Sequence, residues 1–109
     1  MPEYDLSNIP EAEVVPGFHG RFIHTDNVTI VHWRIENGST LPEHSHPHEQ
    51  IANLVSGELE LIIEGTPHLL KPGKVFVIPG GAVHSGRAVT DCRIIEVFYP
   101  VRKDYRDKY

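Results

Sequence analysis

The sequence predicts a single all-β domain, built as a barrel or a sandwich. β-Branched and aromatic residues occur in short runs, and these runs are separated by residues that favour turns. The nine prolines and nine glycines indicate many tight turns. No helical pattern lies between the runs, and 109 residues suffice for one hydrophobic core. We therefore expect one domain that spans residues 1–109.

The elements follow in chain order. Residues 1–20 are rich in proline and glycine and predict an extended N-terminal arm. Four runs predict strands or parts of strands: VTIVHWRIE (28–36), QIANLVSGELELIIE (50–64), VFVIP (75–79) and DCRIIEVFYP (91–100). The alternation around Leu59, Leu61 and Ile63 predicts that these three side chains share an inward face. The only helical candidate is VRKDYRDKY (101–109).

Charge and composition exclude several classes of partner. The net charge of −5 leaves no basic surface for nucleic acid, although a small anion can still be bound by a few local cations. No apolar run approaches the ~20 residues that a membrane span needs. The acidic start does not resemble a signal peptide, and the single cysteine, Cys92, excludes an internal disulfide. We expect a cytoplasmic protein.

Three histidines lie close together in HSHPHEQ, residues 44–50. On a strand, His44 and His46 point to one face and can reach one ion. His48 and Gln50 share that parity if the strand stays regular, whereas Glu49 has the opposite parity. Imidazole nitrogen is a good ligand for zinc and similar ions, and an amide oxygen is a weaker, neutral one. The pair alone is equally compatible with two structural histidines.

Two spaced motifs make the metal interpretation specific. Residues 38–57 carry Gly, five residues, His44, one residue, His46, three residues, Gln50, six residues and Gly. Residues 73–88 carry Gly, five residues, Pro, one residue, Gly, two residues and His84. These stretches resemble the first and second motifs of the cupin superfamily. The resemblance implies a single-domain cupin β-barrel, which is a double-stranded β-helix of the jelly-roll type.

The resemblance also implies a ligand set. His44, His46, Gln50 and His84 match the ligands of one divalent transition metal ion, which can be nickel, zinc, iron or manganese. Cupins usually have glutamate where Gln50 stands. A neutral amide leaves one more unit of positive charge at the site, which makes the ion a stronger Lewis acid and weakens its retention. Glu49 is an alternative ligand, but strand parity and motif spacing favour Gln50.

The last predicted strand adds an acid, an aromatic ring and a cation. Glu96 and Phe98 share a face that, from parity alone, either lines the interior or faces solvent. The stretch DCRIIEVFYPVRKDY (91–105) is similar to the C-terminal part of small cupins from pectin and alginate breakdown, which linearise 4,5-unsaturated uronates. This similarity implies Glu96 and Arg102 as catalytic residues, with Phe98 and Arg102 against the sugar. His48, beside the metal, is expected at the cavity mouth. The family usually has aspartate in place of Glu96.

Three functions remain open. The first is an isomerase or tautomerase of sugar acids, and the second is a non-haem dioxygenase of the cupin type. The third is a sugar-binding or metal-stabilised barrel without catalysis. Activity without oxygen would exclude the dioxygenase. If the side chains of Glu96 and Arg102 point away from the metal, the catalytic hypothesis loses its acid and its substrate anchor. The other histidines are expected to be structural: His19, His24, His32 and His68.

A homodimer is expected because the strand faces opposite the core carry apolar residues. Ile51, Val55 and either Trp33 or Ile35 are expected on these outer faces. The N-terminal arm is expected to lie on the partner. The predicted partners are thus a small sugar acid and a second copy of the chain.

Overall fold

The computed structural model describes residues 2–109 and contains two antiparallel sheets. The ten strands, β1 to β10, are Ala12–Val15, Phe18–His24, Thr29–Ile35, Thr40–His44, Glu49–Ser56, Leu59–Ile63, Thr66–Leu70, Val75–Ile78, His84–Ala88 and Cys92–Tyr99. The larger sheet has the order β1-β2-β3-β10-β5-β8, and the smaller has β4-β9-β6-β7. The all-β prediction is confirmed.

The core lies between the inward faces of the two sheets. Strand β3 alternates buried and half-buried residues along its whole length, as expected when one face meets a core. Leu59 and Leu61 of β6 are buried as predicted, and Ile63 packs against the core. The prediction that Trp33 or Ile35 lies outside is wrong, because both side chains point inward and are buried. Parity fixes which residues share a face but not which face is inner.

Residues 6–20, which belong to the predicted arm, fold onto their own chain. Leu6–Asn8 form one turn of 3₁₀-helix, which begins where the Asp5 carboxylate accepts a hydrogen bond from Ser7 N at 2.9 Å. Strand β1 then pairs with β2 of the same chain. The region expected to be an extended arm on a partner therefore forms the edge of the larger sheet.

The chain ends in a short helix, α1, at Lys103–Lys108. Tyr105 of this helix packs edge-on against Phe22, with ring centroids 5.3 Å apart. Tyr109 stacks on the same phenylalanine at 4.7 Å. Aromatic contacts of this geometry add to the apolar burial and fix the helix against the larger sheet. Within residues 2–109, no helix has the length and apolarity to cross a membrane.

Candidate metal centre

Three imidazoles converge where the two histidine-bearing segments meet. His44 ends β4, His84 begins β9, and the two residues are register partners. Their ring centroids are 4.2 Å apart, and the ring of His46, from the β4–β5 loop, lies 5.1 Å from that of His84. One potential ligand atom from each histidine lies within 4.8 Å of the others. We call these three residues the histidine cluster.

Backbone hydrogen bonds set the tautomer of each ring. The Nδ1 atom of His44 lies 2.7 Å from the Pro42 carbonyl oxygen, and that of His46 lies 3.1 Å from the carbonyl oxygen of His48. The Nδ1 atom of His84 lies 2.9 Å from the Ala82 oxygen. A carbonyl oxygen only accepts, so Nδ1 carries the proton and Nε2 keeps a free lone pair. This tautomer is the one that coordinates a metal through Nε2.

Gln50 supplies a fourth potential metal-ligand atom, its amide oxygen. It is buried on the inward face of β5, and its Oε1 lies 3.0 Å from Nε2 of His46. Glu49 is exposed, so the structure offers no support for it as a ligand. Nε2 of His84 is buried and has no hydrogen-bond partner in residues 2–109. Lone pairs that face one another, with an unpartnered buried nitrogen beside them, fit a divalent transition metal ion.

Burial and nearby charge keep the imidazoles of His46 and His84 neutral. Burial lowers the pKa of His46 to about 4, and the positive charge of Arg102 adds to this effect. Burial also lowers the pKa of His84. Neutral imidazole is the form that binds a metal, so protons compete weakly for these two residues at neutral pH.

Glu96 lies on the inward face of β10, beside the cluster rather than inside it. Its Oε2 accepts a hydrogen bond from Gln50 Nε2. Burial raises its pKa to about 7, against the lowering effect of that hydrogen bond. Its remaining accessible surface lines two internal cavities of about 30 and about 20 Å³, which Gln50 also lines. Each cavity has room for about one water molecule.

Arg102 and Phe98 adjoin the cluster on the side of the C-terminal helix. Phe98 is buried, and its ring centroid lies 5.7 Å from that of His46. The guanidinium of Arg102 lies 4.9 Å from the Phe98 centroid and 3.7 Å from that of Tyr105. Asp104 accepts from Nε at 3.2 Å and from Nη2 at 2.7 Å. The cation is thus held between two rings and tied at one edge.

A larger groove opens next to the cluster. It measures about 590 Å³ and is lined by residues 45–48 and 100–104. His46, His48 and Arg102 all line this mouth groove, which agrees with the expected place of His48. A volume of this size accepts a small ligand, whereas the internal cavities do not.

The sequence interpretation missed two residues of this region. Asp104 and Tyr105 both hold Arg102, and the available signal was their position two and three residues beyond it, at the start of a short helix. The remaining histidines lie outside the cluster, with partners or neighbours elsewhere: His19 with Glu36, His24 with Thr29, His68 with Phe76, and His32 on the outer face of β3.

Comparison with known proteins decides the family. The Cupin domain family matches residues 31–98, which span strands β3 to β10 and every residue of the histidine cluster. The chain belongs to the cupin family. This cupin is 28% identical over 83 residues to the pectin degradation protein KdgF of Dickeya dadantii (strain 3937), with 74% of this chain and 76% of that protein covered.

Solved structures show the same fold. KdgF from Halomonas sp. superimposes with a TM-score of 0.89 at 29% identity, and the match covers 96% of this cupin and 98% of that chain. An RmlC-like cupin from Shewanella frigidimarina NCIMB 400 gives a TM-score of 0.88 at 21% identity, with 94% and 93% covered. The predicted cupin fold is confirmed.

Proposed function

We propose that this cupin converts 4,5-unsaturated uronate monosaccharides to linear keto sugar acids, in a metal-dependent step of pectin and alginate breakdown. Similarity to a protein named for pectin degradation supports the substrate class. The observation that carries the proposal is the position of Arg102 beside the histidine cluster, where Arg102 and His46 line a groove large enough for a sugar. A cation and one member of the histidine cluster meet at this groove, and the buried ring of Phe98 lies behind His46.

The reaction needs two proton movements. Ring opening removes a proton from the anomeric hydroxyl and breaks the bond between C1 and the ring oxygen, which leaves an aldehyde at C1 and an enolate at C5. The enolate then gains a proton at C4 and becomes the C5 ketone. Atoms and charge balance without an oxidant. A divalent ion held by the histidine cluster and Gln50 supplies Lewis acidity toward a substrate oxygen.

Arg102 is proposed to orient the sugar by pairing with the carboxylate of the sugar. Asp104 already occupies Nε and Nη2, so the substrate pairs at the end of the guanidinium that carries Nη1. We propose that two parallel hydrogen bonds form at that end, one from Nη1 and one from the second N–H of Nη2. The resemblance places Phe98 against the sugar, but its ring is buried and packs edge-on against that of His46, so Phe98 is proposed to support His46 at the groove.

Glu96 is proposed to move the proton. It does not line the mouth groove, so transfer proceeds through a water molecule in the cavity of about 30 Å³ that Glu96 shares with Arg102 and Phe98. This assignment rests on the sequence resemblance and on the shared cavity.

The test is a spectrophotometric assay on lyase-generated unsaturated galacturonate and mannuronate monomers. The metal-loaded protein is expected to hasten loss of the double-bond absorbance, and the chelator-treated protein is expected not to. Full activity under anaerobic conditions excludes the dioxygenase alternative. If the loaded protein leaves the absorbance decay at its spontaneous rate, the uronate function is wrong and a binding role is favoured.

We also propose that two copies associate through the outer face of the larger sheet. One row of aliphatic side chains crosses five neighbouring strands on this face: Val77, Ile51, Val97, Ile30 and Ile23. Val77, at the edge strand, is 57% exposed. A two-fold interface requires a patch that complements itself, and an uncharged aliphatic row meets that condition without repulsion.

A further inference from the structure

Gln50 and Glu96 form a hydrogen-bonded pair in the wall of the metal centre. They lie on β5 and β10, which are neighbours in the larger sheet, and both side chains point inward. The Gln50 amide nitrogen donates to Oε2 of Glu96. Both residues line the same two internal cavities. The orientation of the amide is therefore set by the carboxylate beside it.

The direction of this hydrogen bond has a consequence for the amide oxygen. A carboxylate accepts hydrogen bonds and an amide NH₂ donates them, so Glu96 selects the rotamer that turns the nitrogen of Gln50 toward itself. The oxygen must then point the other way, where it lies 3.0 Å from Nε2 of His46. That nitrogen carries no proton, because Nδ1 of the same ring donates to the carbonyl oxygen of His48 at 3.1 Å. Two lone pairs therefore point at a shared position.

We propose that Glu96 is a positioning residue for the metal ion. It holds the Gln50 amide with its oxygen toward the histidine cluster, and it places a carboxylate one hydrogen bond behind a neutral ligand. Cupins usually have a carboxylate at the position of Gln50, whereas in this chain the carboxylate lies on the neighbouring strand, at Glu96. This inference rests on the metal site of the proposed function and not on its substrate.

Partners behind a metal ligand change affinity without touching the ion. Loss of such a partner typically weakens metal binding by roughly 10–100-fold, because the ligand loses its orientation and some of its basicity. In this chain the amide is free to turn over once the carboxylate is gone, which directs NH₂ at the cation. The effect of Glu96 on metal affinity is therefore expected in the absence of any sugar.

The experiment measures zinc and nickel dissociation constants by competition with a chromophoric chelator, on the full chain without substrate. Glu96→Gln keeps the shape of the side chain but offers both an oxygen and an NH₂ to Gln50. We expect affinity to fall about tenfold or more. The double variant Q50E/E96Q exchanges the two groups, so that the new ligand carries the charge and accepts from the new amide. It is expected to recover wild-type affinity or exceed it.

Glu49→Gln is the matched control, since it removes the same charge one residue from Gln50 on the exposed face. Its affinity should stay at the wild-type value. Thermal unfolding of each metal-free variant identifies any variant that has lost its fold. Two results overturn the inference: unchanged affinity in E96Q, or a double variant that binds no more tightly than E96Q.

The outcomes separate this inference from the proposed function. If Glu96 only transfers protons, E96Q loses turnover and keeps its metal affinity, and the positioning role is wrong. If the wild type fails to act on unsaturated uronates but the affinities follow the expected order, the substrate assignment is wrong and the positioning role stands.

Discussion

At the scale of a single residue, several contacts hold the side chain of Arg102 in one orientation. Its guanidinium lies 3.7 Å from the centroid of the Tyr105 ring, and Asp104 holds one edge by two hydrogen bonds. Its backbone N–H donates to the buried Thr29 hydroxyl at 2.9 Å. Side-chain and backbone contacts together leave little freedom for the cation to move. A flat, pre-oriented fork is what recognition of a carboxylate requires.

The first prediction concerns this fork. Arg102→Lys keeps the charge but loses the planar geometry, so turnover of unsaturated uronate should fall roughly 100-fold. Metal content should not change, because Arg102 supplies no ligand atom. Steady-state kinetics and metal analysis check the two parts. Arg93→Lys, on the exposed face of β10, is the control, and equal activity in both variants would contradict the role of Arg102.

The second prediction concerns His84, the most buried member of the histidine cluster. His84→Ala removes a ligand atom, so the dissociation constant for zinc should rise by more than the roughly 10–100-fold typical of an outer partner. Competition with a chelator measures it. His68→Ala removes a histidine that packs on Phe76 instead and should leave the constant unchanged. A similar constant in both variants would show that the cluster does not hold the ion.

At the scale of single residues, the sequence predicted which residues come together, but it predicted less well what each of them contacts. The motif spacing singled out the histidine cluster and Gln50, because the loop and the strand ends that carry them are short. It left the direction of Glu96 open, since strand parity does not distinguish the inner face from the outer one. It gave no role to Asp104 or Tyr105, whose contacts with Arg102 depend on how the chain turns after the last strand.

Among the elements, helix α1 has only six residues, yet it contributes to the stability of the fold. A helix this short is marginal alone and depends on its packing. Tyr105 supplies that packing, with Arg102 on one side and the rings of Phe22 and Phe98 at 5.3 and 5.9 Å. The helix therefore links the core to the mouth groove.

The third prediction tests this link. Tyr105→Ala should lower the free energy of unfolding by about 3 kcal/mol, since it removes a large, mostly buried ring. It should also raise KM, because Arg102 loses the ring that holds it. Urea denaturation and kinetics give the two values. Tyr105→Phe keeps the ring and should approach the wild type. If Tyr105→Phe loses as much stability as Tyr105→Ala, the effect belongs to the hydroxyl and not to the ring.

Strands were predictable where their residues are β-branched and aromatic. Strands β3, β6, β8 and β10 fall within the predicted runs, and β5 begins one residue before its run, at Glu49. Strands β4, β7 and β9 have sequences such as TPHLL and HSGRA, whose local preference for strand is weak. They are extended because β7 pairs with β6, and β9 pairs with both β4 and β6, and such long-range pairing is not encoded in a local pattern.

At the scale of the whole molecule, metal binding should stabilise the fold by mass action. At a free metal concentration of 100 times the dissociation constant, the gain is about 2.7 kcal/mol. The fourth prediction is that zinc or nickel then raises the Tm by roughly 10 °C. A thermal scan with and without metal checks it. A variant that lacks His44 and His84 should show no shift, and an equal shift there would locate the ion elsewhere.

The fifth prediction concerns association. Val77→Asp puts a charge into the aliphatic row and should convert a dimer into the 12.3 kDa monomer in sedimentation experiments at micromolar concentration. Leu69→Asp changes an exposed apolar residue of β7, on the smaller sheet, and should leave the dimer intact. A wild type that sediments only as the monomer would reject the dimer.

Each ring of the histidine cluster is anchored to a carbonyl only two residues away in its own chain. The anchors are local, so the imidazoles are aimed during folding and need no rotation when an ion arrives. Small domains whose ligands are scattered along a loose chain collapse only around their metal. We therefore expect this chain to fold with its three imidazoles already directed at one position and to bind the ion afterwards.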